Sequence, residues 1–173
     1  MTNVTSYKLQ VTREDGFTLI ELIIYLAIVS LILVSLSYLI LDIMGGQTKS
    51  YANQEINQNL RFISNYLTKD IKATQDIGSL TSETLVLILP GDDITYHFDA
   101  INNTLTRQLG STDPVNLNSD RVETTGSFTD LSYTYRNKNI GIFLVINYKN
   151  PSNLSDYNAS TTANFSIELR GRR

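Results

Sequence analysis

The chain contains no cysteine among its 173 residues. That absence excludes a disulfide, an iron–sulfur cluster, a thiolate metal site and a cysteine nucleophile, so any folded part rests on its core alone. Histidine occurs once, at position 97. A Ser-His-Asp triad would have to use His97, yet neither a G-x-S-x-G elbow nor a metal-protease signature surrounds it. Its place between Tyr96 and Phe98 in an alternating run puts it on the polar face of a strand, so no catalytic residue is assigned. A basic excess is missing too. The formal net charge is −3, and the densest basic cluster is the tail Arg170, Arg172, Arg173, which reads as a solvated strand end. Direct nucleic-acid binding is therefore not expected. Asp92-Asp93 lacks the alternating oxygen ligands of a calcium loop and reads as a hairpin turn. No metal, cofactor or enzymatic activity is expected.

Charge is also absent from Leu22 to Leu41. At a rise of 1.5 Å per residue this run spans about 30 Å, the thickness of a bilayer's hydrocarbon core, and it reads as a membrane helix. A secretory signal would have a shorter apolar stretch followed by a small-residue cleavage site, and no A-x-A pattern follows this one. Lys8 and Arg13 precede the span, whereas Asp42 comes first after it and Lys49 only later. The positive-inside rule then favours a cytoplasmic N-terminus with the larger part of the chain outside. Glu21 stands directly before this run. A carboxylate at membrane depth costs about 2.5 to 3.5 kcal/mol at a helix centre, so it calls for a partner or a task.

Beyond Gly45-Gly46, Ile56, Leu60, Ile63, Leu67 and Ile71 recur at helical spacing, with Asn, Gln, Lys and Asp on the other face. The expected element is one long helix from Phe17 to about Thr74, apolar in its first half and amphipathic in its second. From there the period changes from 3.6 to 2. Strands are expected at Leu85–Leu89, Ile94–Asp99, Leu105–Leu109, Asp130–Arg136, Ile140–Tyr148 and Ala163–Arg170, with loops over 110–126 and 150–162. Tyr133, Tyr135, Tyr148 and Tyr157 offer an adhesive face, although tyrosine is also ordinary strand content. The fold class is α+β: a long N-terminal helix packed on an antiparallel sheet. Four segments are expected: 1–16 a leader, 17–44 the apolar helix, 45–76 the amphipathic stem, and 77–173 the β domain.

A polar leader ending in Gly16 runs straight into Phe17-Thr18-Leu19-Ile20-Glu21 and the apolar helix. In this the chain closely resembles the type IV pilin superfamily. The resemblance implies that a prepilin peptidase cuts between Gly16 and Phe17 and N-methylates the new Phe17 amine, and that Glu21 meets the Phe17 amine of a neighbouring subunit. A charge pair of that kind compensates each member where water is excluded. Other implied partners are pilin or pseudopilin subunits and an assembly-platform membrane protein. The chain would be a single-pass cytoplasmic membrane protein before assembly, and part of a pilus or pseudopilus afterwards. Within the superfamily, "LRFISNYLTKDIKA", "ITYHFDAINNTLTRQL" and "FSIELRGR" look like minor pilins and minor pseudopilins of the W or J type, which implies a place at or near a fibre tip. The alternatives are a major pilin subunit, or an uncleaved, membrane-tethered β domain that binds an envelope partner. Two features depart from the family pattern. Glu14 and Asp15 stand directly before Gly16, with basic residues set back at Arg13 and Lys8, and the helix lacks the mid-way proline of many major pilins.

Overall fold

The computed structural model describes residues 16–133 and 138–169. The leader up to residue 15, Tyr135 and Arg136 of one expected strand, and the arginine tail lie outside the described residues. The chain divides into two compact units between Ile43 and Met44, and helix α1, Leu19–Ala73, contributes to both.

In the first unit α1 buries nothing. Within the apolar span an 18-residue window reaches a mean hydropathy of 2.7 with none of it covered by the described residues. Ser30 Oγ donates to the Ala27 carbonyl and Ser37 Oγ to that of Leu33, both at 2.9 Å. Those hydroxyl hydrogens are satisfied within the helix, so neither adds an unpaired donor to its apolar surface.

The second unit is built on the amphipathic half of α1. Ile56, Ile63, Leu67 and Ile71 are buried, and Leu60 packs against the same core. Two antiparallel sheets supply the rest. The first has five strands in sequence order: β1 Asp76–Leu80, β2 Thr84–Ile88, β3 Ile94–Asp99, β4 Thr104–Leu109 and β5 Val115–Asn116. The second has three: β6 Val122–Asp130, β7 Asn139–Tyr148 and β8 Ser160–Glu168. Backbone hydrogen bonds stitch the sheets together, from Phe128 N–H to the Ser82 carbonyl at 2.9 Å and from Thr124 N–H to that of Asn103 at 2.8 Å. Ile94, Tyr96 and Phe98 of β3 point into one core with Ile140, Ile142, Leu144 and Ile146 of β7.

The architecture is the expected α+β arrangement, and the β2–β3–β4 meander falls where alternation places it. Four strands differ. The strand expected at Asp130–Arg136 is instead β6, which begins inside the segment read as a loop. Its sequence VETTGSFTD hides its alternation behind threonines and a glycine, but all nine residues pair with β7, from Val122 opposite Tyr148 to Asp130 opposite Ile140. Leu131 and Tyr133, which do alternate, lie exposed beyond the ladder. β1 and β5 are additional to the expected strands, because DIGSL and VN carry too little apolar content for a period. β8 starts at Ser160, earlier than its first apolar residue.

Polar pairs tie α1 to the strands. Asp70 and Asn59, assigned by periodicity to the solvent face, are buried. Each follows a core residue by three positions, Leu67 and Ile56, which puts it on the flank of the apolar stripe. One Asp70 oxygen accepts from Tyr96 Oη at 2.6 Å and from Arg107 Nε at 2.7 Å. Burial pushes the Tyr96 phenol far above the ordinary tyrosine value, and the Asp70 carboxylate adds to the rise. Burial is the largest single effect on Arg107 and works against its charge, but the hydrogen bond and charge of Asp70 together with Tyr96 more than offset it, and the pKa is raised. About three turns earlier in α1, Asn59 Oδ1 accepts from Ser119 N–H at 2.9 Å and Ser119 Oγ donates to Glu55 at 2.8 Å, fastening the segment after β5 to the helix.

Candidate functional site

The site read from the sequence, Gly16 to Glu21, lies where extended chain becomes helix. Gly16 and Phe17 are exposed and precede regular structure. Among the described residues, nothing stands within 4 Å of where a Gly16 Cβ would be. Thr18 starts the helix. Its carbonyl accepts from Glu21 N–H at 3.1 Å and Leu22 N–H at 3.2 Å, and its hydroxyl oxygen accepts from Glu21 N–H at 3.3 Å. This is N-capping by a threonine, worth about 1 kcal/mol relative to alanine.

Glu21 thus stands in the first turn of α1. There the unpaired N–H groups and the helix dipole favour an anion, a physical reason for a carboxylate at this end that the sequence reading lacked. The signal was present: Thr18 and Glu21 have the T-x-x-E spacing of a capping box. Leu19, Ile20, Leu22 and Ile23 beside it are exposed, and the Phe17 ring meets Tyr25 edge-on at 5.8 Å. A helix span that is apolar on all sides and covered by none of the described residues needs lipid or neighbouring helices around it. The geometry therefore joins an exposed Gly16 and Phe17, a capped helix start and a long uncovered apolar surface.

The other candidate residues do not gather into a reactive constellation. His97 lies on the exposed face of β3, its Nδ1 3.0 Å from Thr84 Oγ1. Asp92 and Asp93 are exposed in the bend before β3, beside Gly91, whose φ of 127° suits glycine alone. Tyr148 and Tyr157 stack at 6.0 Å, while Tyr133 stands apart and exposed.

Comparison with known families bears on the same stretch. The prokaryotic N-terminal methylation motif matches residues 12–37. This stretch carries the type IV pilin signal. The match includes Gly16 to Glu21 and most of the apolar run, and it supports the superfamily without reaching the W or J subtype. No curated protein and no solved structure matches the chain. The type IV pilin signal and the α+β architecture together mark a prepilin-like protein, one whose superfamily is structural in role.

Proposed function

We propose that this type IV pilin-like chain is a filament subunit, cut between Gly16 and Phe17, N-methylated at Phe17, and assembled through its apolar helix into a type IV pilus, competence fibre or type II secretion pseudopilus. One observation carries the reading: a methylation motif placed directly on the capped start of an apolar helix that the described residues leave wholly uncovered. Cutting exposes a cationic amine at Phe17, four residues before Glu21. In a bundle of such helices the Phe17 amine of one subunit and Glu21 of the next compensate each other's charge and set the register. The partners in this scheme are the prepilin peptidase, other pilin or pseudopilin subunits and the membrane protein that drives assembly. The subunit enters the cytoplasmic membrane with its N-terminus inside and its β domain outside.

The missing mid-helix proline and three short stretches of the domain favour a minor subunit at or near the tip. In sheared fibres such a subunit is expected well below the abundance of the main one. N-terminal mass spectrometry of the protein from membranes containing the matching peptidase tests the central step. A chain beginning with N-methylated Phe17 is expected. A chain still beginning near Met1 would favour the uncleaved tether, a reading to which Glu14 and Asp15 beside the cut lend weight. Glu21→Ala is expected to insert normally and to be depleted from fibres; normal incorporation would remove Glu21 from the mechanism.

A further inference from the structure

The β3–β4 hairpin carries an apolar knob at one end and an apolar pocket at the other. At the tip, Ile101 is 92 % exposed, the most exposed of the large aliphatic side chains described. It stands on a hydrogen-bonded turn. Asp99 Oδ1 accepts from the N–H groups of Ile101 at 2.9 Å and Asn102 at 3.0 Å, and Oδ2 accepts from Asn102 Nδ2 at 2.6 Å. An isoleucine fixed in water beside a carboxylate gains nothing within its own chain. At the other end, a pocket of about 210 Å³ is lined by Phe62 and Tyr66 of α1, Arg107 and Leu109 of β4, Val115 of β5, and Leu117. Phe62 and Tyr66 pack ring on ring at 4.8 Å, and the Arg107 guanidinium lies 5.8 Å from the centre of the Tyr66 ring. Among the described residues Arg107 bonds through Nε to Asp70, which leaves its Nη groups for another acceptor.

We infer that these two features are complementary halves of one interface: Ile101 of one copy of this chain enters the Phe62–Val115 pocket of a second copy, with Asp99 beside Arg107. Apolar meets apolar, and the carboxylate faces the one guanidinium of the pocket. Aromatic residues and arginine are also the usual anchors of such contacts. Placement adds a second argument. Asp99 pairs with Thr104 at the tip and Ile94 with Leu109 at the base, so the ladder between the two ends is five strand residues long, about 17 Å. A surface that docks onto a different surface of the next copy leaves both free faces available to further copies, and repeated it generates a filament, or a ring where the rotation closes. The inference rests on the filament-subunit reading and, within it, on a fibre in which at least two copies of this chain stand side by side, as in the major-subunit alternative and not for a lone copy at the tip.

The absence of native cysteine makes the test clean. Full-length chains with Ile101→Cys and Val115→Cys, both at exposed positions, are co-produced under different tags in membranes that contain the peptidase, then oxidised mildly. The expected result is a mixed 101–115 dimer at least tenfold over the 101–101 and 115–115 dimers. Asp99→Asn on the Ile101→Cys chain keeps an acceptor for the turn but removes the charge, and is expected to lower the mixed dimer several-fold. Equal yields of all three dimers, or no mixed dimer, overturn the interface. The N-terminal mass from the same sample separates the two ideas: processed Phe17 without a mixed dimer sinks the interface and leaves the pilin reading standing, whereas an intact leader counts against the pilin reading itself.

Discussion

At Asp70 one carboxylate oxygen serves two strands at once, receiving Tyr96 from β3 and Arg107 from β4. Removing it strands a buried phenol and a half-buried guanidinium. Asp70→Ala is expected to destabilise the domain by about 3 kcal/mol, read from denaturant unfolding of the full chain in detergent. Tyr96→Phe is milder, about 1.5 kcal/mol, because Asp70 keeps Arg107. The Tyr96 phenol also sets an alkaline limit. Its folded pKa is raised, so its contribution is complete below the unfolded value of about 10 and declines as pH climbs past it, when the unfolded chain releases a proton that the folded chain retains. Stability should fall by about 1.4 kcal/mol per pH unit above pH 10 from this group. In Tyr96→Phe that part of the slope should vanish; an unchanged slope would mean that Tyr96 ionises freely.

Two glycines separate the demands on their elements. Gly126 lies in the middle of β6, where a Cβ would run into the Phe143 carbonyl of β7 and the Phe98 ring. Backbone and core cannot both retreat, and Gly126→Ala should cost more than 3 kcal/mol and lower the yield of folded chain. Gly46 lies within α1, and nothing stands within 4 Å of its absent Cβ. Packing therefore gives no reason for a glycine there, and Gly46→Ala should stabilise the helix by up to about 1 kcal/mol. Slower amide exchange over residues 44–50 is the corresponding measurement, and unchanged exchange would show that propensity does not limit this stretch. Both glycines look alike in the sequence. What divides them is the neighbour each one faces.

For the molecule as a whole, the uncovered apolar span and the polar domain predict opposite exposure to a protease. Added to spheroplasts, a protease should degrade residues 44–173 and spare the span from Leu22 to Leu41. Protection of the domain would reverse the inferred orientation, which the sequence supports by a margin of one or two charges. The two halves of the molecule were unequally legible. The motif from Gly16 to Glu21 and the apolar run are contiguous, so their meaning survives in one dimension and needs no partner from elsewhere in the chain. The amphipathic stripe Ile56–Ile71 and the alternation of β3 likewise report a local period, and the structure buries those residues as the period requires.

Sequence alone therefore determined the processing motif, the long helix, the α+β class and the β2–β3–β4 meander, because each depends on residues near one another in the chain. Tertiary structure decided the rest. β6 is a strand because β7 pairs with it across nine positions, although its own residues show no clear alternation. Asp70 is interior because Tyr96 and Arg107, 26 and 37 residues away, converge on it. The exposed Ile101 and the pocket around Arg107 became two ends of one hairpin only when β3 folded back on β4. A local pattern cannot encode a partner that is distant in the chain, and in this protein those distant partners built the β domain's polar ties and its surface.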